Sequence, residues 1–271
     1  MEDYRTVNLA NWNSRVPVHE QGYALQPFRD DPEHLSSVVR FDLPRLGEVA
    51  GLDGIHLQCH IGTDTVSLAR LGARMSGLDF SEPALEAARR LATESGQQID
   101  YRASDVYDAI DTFGSEAFDF VYTGIGALCW LPSAERWASV VAGLLRPGGF
   151  LFIREGHPML WALCDPRPDG LAVLEYPYFE DEGTVFVEEK TYVEHEGALD
   201  SPTIICFNHS LSEIFNALWS AGLTVTLFEE HTTVPWNQLG DAMVDTGDEE
   251  YALAHMPERL AATYTLRAEK R

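Results

Sequence analysis

The sequence predicts an α/β protein in which a parallel β-sheet is covered by helices on both faces. From Gly54 onward, short apolar strand patterns alternate with amphipathic helix patterns, which is typical of strands joined by crossover helices. The chain of 271 residues is long enough for one large domain of this class. It contains no internal repeat and no low-complexity linker, so we predict a single domain over residues 1–271.

Hydrophobic periodicity defines seven strands and the helices between them. The predicted strands are residues 55–59, 74–78, 99–103, 118–122, 150–154, 223–229 and 262–268. Ser81 and Ser133 are predicted N-caps of two helices, and Ser210 with Glu213 forms a capping box for a third helix over 211–221.

Two segments lie outside this alternation. The first 50 residues combine an aromatic and polar opening with a predicted helix at 32–49. Residues 156–208 form an insertion after the fifth strand. We expect a β-rich flap there, because TVFVEEKTYVEH alternates in polarity and TIICF has the composition of a short strand. The acidic run DTGDEEY at 245–251 is interpreted as a solvated loop.

The composition argues against some partners. The chain carries 43 acidic and 19 basic side chains, with a formal net charge of -24, so its field would repel a nucleic acid. One interpretation is that the negative charge keeps the protein soluble, in an ordinary or a salty cytoplasm. The other is that it attracts a neutral or cationic small substrate. Both interpretations stay open at this point.

No stretch of the sequence is long and apolar enough for a membrane span, so we predict a soluble protein without a membrane partner. The N-terminus carries no export signal, and the four cysteines form no C-x-x-C pair and are expected to be reduced. We therefore expect a cytoplasmic location. No pattern in the sequence defines an oligomeric state.

The loop after the first strand is the first candidate site. The stretch IHLQCHIGTDT at 55–65 joins a buried strand to a helix, at the strand end where open parallel sheets bind ligands. A dinucleotide site needs glycines there, because the backbone must touch a pyrophosphate. Gln58 and His60 occupy two of those positions, and only Gly62 remains. A ligand without phosphates fits such a loop better.

Five stretches in register resemble the class I S-adenosylmethionine-dependent methyltransferases. They are IHLQCHIGTDT, MSGLDFS, ASDVYDA, FDFVYTGIGALCWL and LLRPGGFLFI. The resemblance covers residues 54–154 well and the C-terminal strands more loosely, and LQCH.G.DT replaces the glycine-rich first motif in some relatives. It implies one methyltransferase domain with a Rossmann-like sheet of seven mostly parallel strands, an antiparallel last strand, and S-adenosylmethionine as cofactor.

The resemblance also implies which residues hold the methionine part of that cofactor. Gln58, His60 and Gly62 fall in the first motif, with Thr65 just beyond it in the following helix. Thr123 ends the fourth strand, where the family places the reacting methyl group and the substrate.

The adenosine part is expected at the next two strand ends. Asp79 matches the acid that binds both ribose hydroxyls, and Phe80 and Ser81 follow it at the adenine pocket. Asp105 matches the acid that accepts a hydrogen bond from the adenine amino group. Val106 would present its backbone amide to the ring.

The first strand departs from the family pattern because His56 replaces its usual acid. His56, Cys59 and His60 also suggest a zinc site, since imidazole and thiolate are common zinc ligands. Strand alternation places His56 and Cys59 on opposite faces, however, so we expect no metal site. We expect His56 to pack in the core and His60 to contact the cofactor.

Methyl transfer is an in-line displacement, so it depends on alignment and on exclusion of water, and a base is needed only if the acceptor must lose a proton. Glu155, His157 and His209 are candidates because they lie where the sheet edge meets the predicted flap. Histidine titrates near neutral pH, which suits proton transfer. The alternative for the two histidines is a local hydrogen bond at a helix start.

The N-terminal segment and the flap are expected to form a lid. By resemblance, Arg15 would pair with a carboxylate, and Trp12 or Tyr23 would cover the sulfonium through a cation–π contact. The alternative is a helix packed on the sheet with a solvated Arg15. Five aromatic residues are candidates either for the lining of an apolar substrate pocket or for ordinary core packing: Trp130, Trp161, Tyr176, Tyr178 and Phe179.

Three functions remain at this stage. The leading one is S-adenosylmethionine-dependent methyl transfer to a small-molecule acceptor. A nicotinamide-dependent oxidoreductase shares the sheet and the acid at the second strand, but the glycine triplet it needs is missing. A non-catalytic cofactor-binding or regulatory protein would keep the fold without chemistry. No motif identifies the acceptor or whether its oxygen, nitrogen, sulfur or carbon is methylated.

Overall fold

A seven-stranded sheet forms the centre of the computed structural model, which describes residues 3–179, 182–193 and 195–271. The strands of this sheet, in chain order, are β1 (Asp53–Leu57), β2 (Arg74–Asp79), β3 (Asp100–Ala103), β4 (Phe118–Thr123), β5 (Leu145–Gly156), β8 (Leu223–His231) and β11 (Thr263–Lys270). Their order across the sheet is β3-β2-β1-β4-β5-β11-β8.

Neighbouring strands from β3 to β5 are parallel, whereas β11 lies antiparallel between β5 and β8. The predicted α/β class, the Rossmann-like sheet and the antiparallel last strand are therefore confirmed. The strand order reverses between β1 and β4, and a ligand crevice forms at such a point, beyond the carboxyl ends of the strands.

Nine α-helices surround the sheet in the part of the chain that the structure describes. They are α1 (Tyr4–Gly22), α2 (Gln26–Asp30), α3 (Ser37–Leu46), α4 (Thr63–Arg70), α5 (Glu82–Glu94), α6 (Ala109–Phe113), α7 (Ala134–Leu144), α8 (Pro158–Trp161) and α9 (Leu211–Ser220). The predicted caps are confirmed, because the hydroxyls of Ser81, Ser133 and Ser210 each accept a hydrogen bond from a backbone N–H three residues later.

The helix predicted at 32–49 has the wrong bounds. The Ser36 hydroxyl accepts a hydrogen bond from the Val39 N–H, so α3 begins only at Ser37. It ends before Gly47, whose φ of 82° lies in the left-handed region that favours glycine. Residues 32–36 form a turn and an extended segment before this cap.

The alternation of strand residues puts two hydrophobic layers on the two faces of the sheet. Trp137 and Leu218, from α7 and α9, pack on the face that includes Val121. On the other face, Leu46 and Leu68 of α3 and α4 pack with Phe120, the neighbour of Val121 in the chain. Buried apolar side chains therefore cover both faces of the sheet, which is the usual arrangement for parallel strands.

The insertion after β5 contains a two-stranded antiparallel sheet, as expected for a β-rich flap. Its strands are β6 (Thr184–Val187) and β7 (Thr203–Cys206). The strand expected across 184–195 is therefore too long, since it stops at Val187. Residues 180, 181 and 194 of the predicted flap lie outside the described residues. Within the described ranges, no helix combines the length and apolarity needed to cross a bilayer.

The acidic run at 245–251 is not the solvated loop that its composition suggested. It forms a hairpin of β9 (Met243–Gly247) and β10 (Glu250–Leu253). Glu250 is buried, and its two carboxylate oxygens each lie 2.8 Å from a nitrogen of the Arg154 guanidinium. Arg154, on β5, has no exposed surface, and its charge also lies over the Phe41 ring at 3.5 Å.

This ion pair gives a stability prediction. Glu250→Ala leaves the Arg154 charge buried without its partner, so the free energy of unfolding should fall by about 3–5 kcal/mol. The double variant Arg154→Met with Glu250→Leu removes both charges and should lose clearly less. Chemical denaturation of the three proteins measures this, and equal losses in the single and double variants would contradict it.

Candidate active site

The carboxylate of Asp79 joins two loops at the ends of β1 and β2. Its Oδ2 accepts a hydrogen bond from the His60 N–H at 2.9 Å, and its Oδ1 accepts one from the Ser81 N–H at 2.9 Å. Burial raises the pKa of Asp79 to about 6, against the opposing effect of these backbone hydrogen bonds. Each carboxylate oxygen can accept a second hydrogen bond, so the group keeps capacity for a ligand.

The loop after β1 has a left-handed backbone conformation that is normally found at glycine residues. Gln58, His60 and Gly62 have φ values of 57°, 49° and 81°. The first two are therefore held in the left-handed region at a cost of roughly 1 kcal/mol or more each. The Asp79 contact holds His60, and the Gln58 side chain donates to the Ala127 carbonyl at 3.0 Å, so tertiary contacts offset that cost.

Two buried polar atoms at the ends of β1 and β4 have no hydrogen-bond partner in the described structure. They are Oε1 of Gln58 and Oγ1 of Thr123. Leu57 and Thr123 are register partners, so the two atoms belong to adjoining strand ends. Buried polar groups without partners are costly, and a ligand that bonds to them removes that cost.

Thr65 does not fit the expected role of cofactor contact. Its side chain is fully buried, and its hydroxyl lies 2.9 Å from Nδ1 of His56. Burial lowers the pKa of His56 to about 3, so this ring is neutral and packs edge-on against Tyr122. The two residues hold α4 against β1, which matches the packing role expected of His56.

Cys59 packs with small apolar residues of α5, whereas the His56 ring packs against Tyr122. The expected separation of His56 and Cys59 is therefore present. Among the described residues, no three histidine, cysteine, aspartate or glutamate side chains are grouped as metal ligands would be. All four cysteines are free thiols.

Asp105 lies at the strand end next to Asp79. The Ser104 N–H donates to the Asp79 carbonyl at 3.0 Å, so the two acidic residues belong to neighbouring strand ends, as expected. One oxygen of Asp105 accepts a hydrogen bond from the Tyr107 N–H at 2.8 Å, and the other lies 2.7 Å from Nε of Arg5. Arg5 is half exposed, so this contact with α1 is open to exchange with solvent.

The remaining adenosine candidates lie around these two acids. Phe80 is half-buried, and Val106 is buried in the main core cluster. Ser81 caps α5 and also donates its hydroxyl to Oδ1 of Asn13 at 2.7 Å. The sequence did not indicate this link between α5 and α1.

Helix α1 covers the loop after β1 with aromatic side chains. The Trp12 ring lies 4.9 Å from the His60 ring and 5.2 Å from the Trp130 ring. Nδ1 of His19 and Nε2 of His60 are 2.8 Å apart, and His19 also contacts the Thr191 hydroxyl in the flap. Burial lowers the pKa of His19 to about 2 and that of His60 to about 3, so both rings are neutral.

Arg15 is buried, which is at odds with the alternative of a solvated side chain. Its guanidinium bonds to Asn11 and lies 3.1 Å from a carboxylate oxygen of Glu188 in the flap. Its charge also lies 5.1 Å from the Trp12 ring and 5.4 Å from the Trp130 ring. Arg15 thus pairs with a carboxylate as expected, and that carboxylate is Glu188 of the flap.

Helix α1 and the flap are joined to each other. The Asn8 amide makes two hydrogen bonds with the backbone of Ile205 in β7, both 2.9 Å long. The hydroxyl of Tyr23, which directly follows α1, also forms a hydrogen bond with the Tyr192 hydroxyl in the flap. We call α1 and Tyr23 together with residues 182–193 and 195–208 the lid.

Glu155 holds the loop after β4 in place. Its two oxygens accept hydrogen bonds from the N–H groups of Gly126, Ala127, Leu128 and Gly156 at 2.6–2.8 Å. Burial raises its pKa, and the four amide contacts oppose that shift. With these contacts Glu155 acts as a loop anchor, and this argues against the expected role of a general base.

His157 forms a local hydrogen bond at a helix start, which was the alternative to a role as a base. Its Nδ1 accepts the Met159 N–H at 3.0 Å and so caps α8, while Nε2 lies 3.0 Å from Glu230. Nε2 therefore carries the proton, and no lone pair of the ring is free. Burial lowers the pKa of His157, against the raising effect of Glu230.

His209 is buried between two hydrogen-bond acceptors. Its Nδ1 lies 2.8 Å from a carboxylate oxygen of Glu213, and its Nε2 lies 2.7 Å from the Leu131 carbonyl. Burial lowers its pKa, but Glu213 and the carbonyl together outweigh burial, so the net pKa is raised. Because both ring nitrogens donate, His209 suits a structural cation better than a base.

One acidic residue near the crevice was not selected from the sequence. Asp64, in the first turn of α4, has an oxygen 3.5 Å from the point where a Cβ on Gly124 would lie. A Cβ at the same point would lie 3.2 Å from Nε2 of His56. The signal was present in the sequence, because Asp64 is the acid of the LQCH.G.DT variant of the first motif.

Residues 55–151 match the family described as a methyltransferase domain. The match begins at the start of the stretch IHLQCHIGTDT and ends within the stretch LLRPGGFLFI.

Curated relatives and solved structures show the same similarity. The chain is 37% identical over 125 residues to a ubiquinone biosynthesis O-methyltransferase of Xanthomonas euvesicatoria, which is 45% of this chain and 51% of that protein. The chain thus spans about half the length of the curated relatives it matches.

The fold is similar to an S-adenosylmethionine dependent methyltransferase from Mesorhizobium loti, with 18% identity, 87% and 98% coverage of the two chains, and a TM-score of 0.58. It is also similar to a geranyl diphosphate C-methyltransferase from Streptomyces coelicolor, with 16% identity, 86% and 78% coverage, and a TM-score of 0.53.

The contacts of His209 predict a pH-dependent stability. A raised folded pKa stabilises the protein fully below the unfolded value of about 6.5, and this stabilisation is lost as pH rises through the folded pKa. His209→Gln should therefore cost more free energy of unfolding at about pH 5.5 than at about pH 8.5. Denaturant titrations at both pH values measure this, and an equal or opposite difference would refute the assignment.

Proposed function

We propose that this protein is an enzyme that transfers a methyl group from S-adenosylmethionine to a small-molecule acceptor. The observation that carries the proposal is the pair of acids, Asp79 and Asp105, at neighbouring strand ends of a class I methyltransferase domain. The names of similar proteins support the same activity. They favour it over a nicotinamide-dependent oxidoreductase.

The residues present fit the cofactor. Asp79 keeps acceptor capacity for two ribose hydroxyls, and Asp105 lies beside it for the adenine amino group. The orphaned oxygens of Gln58 and Thr123 lie at the ends of β1 and β4, where the polar methionine part would bond to them. The His60 N–H is already engaged by Asp79, so His60 contributes its ring and the shape of the loop.

When bound, S-adenosylmethionine supplies an electrophilic methyl group on a sulfonium. The protein's own contribution is then alignment and exclusion of water. Glu155 fixes the loop of residues 124–131 beside the crevice by its four amide contacts. Trp12 and Trp130 form the aromatic wall above the crevice, where a ring face stabilises a cation.

Neither Glu155, His157 nor His209 has a free lone pair for a proton in this arrangement. We therefore assign the three residues to positioning. The methyl acceptor would therefore have to react without a proton transfer to any of these three residues, or carry its own basic group. Its chemical class stays open, because the names of the similar proteins include a C-methyltransferase and O-methyltransferases.

We propose a cytoplasmic location and no nucleic acid partner. The four free thiols suit a reducing compartment. The excess of acidic side chains, 43 against 19 basic ones, opposes binding to a phosphate backbone.

Calorimetry with S-adenosylmethionine and S-adenosylhomocysteine tests the cofactor. The wild-type protein should bind both, and Asp79→Asn should weaken binding by roughly tenfold or more, because a charged acceptor of the ribose hydroxyls is lost. His157→Ala is the control and should bind nearly as the wild type does. No binding at millimolar cofactor would refute the proposal, and loss in His157→Ala but not in Asp79→Asn would refute the site.

A turnover assay separates an enzyme from a non-catalytic binding protein. The protein is incubated with S-adenosylmethionine and pooled small metabolites, and formation of S-adenosylhomocysteine is measured. We expect product above the no-protein control. Tight cofactor binding without product from any pool would favour the regulatory alternative. A fluorescence titration with reduced nicotinamide cofactor should show no binding.

A further inference from the structure

We propose that Cys129 and Cys206 are a redox pair whose disulfide fastens the lid to the loop of residues 124–131. Cys129 lies in that loop, after β4, and Cys206 is the last residue of β7 in the flap. Both are half-buried free thiols in this structure. The inference goes beyond the proposed function, because the bond depends only on the two thiols and an oxidant.

A backbone contact brings the two cysteines together from distant parts of the chain. The N–H of Phe207, directly after Cys206, donates to the Cys129 carbonyl at 2.8 Å. Hydrogen-bonded chain segments lie about 5 Å apart, and a disulfide bridges Cα atoms that are roughly 4.4–6.8 Å apart. The separation of the two segments therefore suits a disulfide.

The two thiols also contact each other. The contact with the Cys206 thiol is the main reason why the pKa of Cys129 is raised well above its usual value, and burial is the second. The Cys129 Sγ lies 3.6 Å from the Gly126 carbonyl, which is an acceptor for the thiol proton. Cys129 thus keeps its proton, and Cys206 supplies the sulfur that attacks an oxidant first.

The other two cysteines are buried away from solvent. Cys59 packs with apolar residues of α5, and burial raises its pKa well above the usual value. Cys164 is buried in the segment that follows α8. Buried structural thiols are inert, so Cys164 offers a matched control for the proposed pair.

The bond would join the lid to a part of the sheet edge that is already held in place. Glu155 fixes the loop of residues 124–131 through its four amide contacts. On the lid side, the Phe207 ring packs edge-on against Tyr4 of α1, with the ring centroids 5.7 Å apart. A covalent bond at Cys206 would therefore restrain both segments of the lid.

The reaction needs an oxidant, and a hydroperoxide such as hydrogen peroxide supplies it. The Cys206 thiolate attacks one peroxide oxygen, the O–O bond breaks, and the sulfur becomes a sulfenic acid while hydroxide leaves and takes up a proton. The Cys129 sulfur then attacks the sulfenic sulfur, the S–O bond breaks, and a second water leaves. Two thiols are thus oxidised to one disulfide, and one peroxide is reduced to two waters.

The bond is reversible, because a dithiol reductant breaks it by thiol–disulfide exchange. Disulfides in the cytosol are usually transient and redox-sensing. A pair that is reduced at rest and oxidised by peroxide therefore agrees with the proposed cytoplasmic location.

Peptide mapping tests whether the bond forms. The reduced protein is treated with hydrogen peroxide, alkylated and digested, and linked peptides are identified by mass spectrometry. The wild type and Cys164→Ala should both link Cys129 to Cys206, and dithiothreitol should remove the link. Cys206→Ala should form no such link. If peroxide leaves both thiols of the native protein free, or oxidises them without joining them, the proposal is overturned.

Hydrogen exchange tests whether the bond restrains the lid. The Ile205 N–H donates to Asn8, so its exchange reports separation of the flap from α1. Oxidation of the wild type should slow this exchange by roughly tenfold or more, whereas Cys129→Ala and Cys206→Ala should show no change. Reduced variants that exchange as the reduced wild type does are folded. Equal exchange in the oxidised and reduced wild type would contradict the restraint of the lid.

Ligand exchange separates this inference from the proposed function. If the reduced wild type binds S-adenosylhomocysteine, the oxidised protein should take it up and release it roughly tenfold or more slowly, because a restrained lid delays opening. Unchanged rates would overturn the role of the bond at the crevice. If the reduced protein binds none, the proposed function fails, and peptide mapping and hydrogen exchange still decide the inference.

Discussion

The bridge that the Asp79 carboxylate makes between the His60 and Ser81 N–H groups is the constraint on which the rest of the site depends. It ties the loop after β1 to the start of α5. It also holds His60 in a left-handed conformation that only glycine adopts freely. The loop can therefore dispense with glycines while the same backbone path is kept. The bulk of Gln58 and His60 then narrows the space that a pyrophosphate would need.

The lid packs on the same loop. The His60 ring contacts Trp12 and His19 of α1, and the flap joins α1 through Asn8 and the Tyr23–Tyr192 contact. Arg5 and Arg15 are held by Asp105 and Glu188. Both arginines of the lid are therefore paired with acidic side chains, one in the sheet edge and one in the flap.

Features set by residues close in sequence were predictable. Ser81, Ser133 and Ser210 cap their helices by contacts three residues away. Asp79 ends β2, and Asp105 follows two residues after the end of β3. Features set by distant partners were not. Nothing in the acidic run at 245–251 shows that Glu250 meets Arg154, 96 residues away. Each of His157 and His209 has one local partner and one distant partner, Glu230 at 73 residues and Leu131 at 78 residues. The distant contacts complete the arrangement in which neither ring is free to take a proton.

A crystal structure with S-adenosylhomocysteine bound tests the central claim most directly. The account predicts the ribose hydroxyls within hydrogen-bond distance of Asp79, the adenine amino group beside Asp105, and the amino-acid part between the ends of β1 and β4, under α1. Density for the ligand elsewhere, with the contacts of Asp79 and Asp105 unchanged and the lid side chains still filling the crevice, would contradict it.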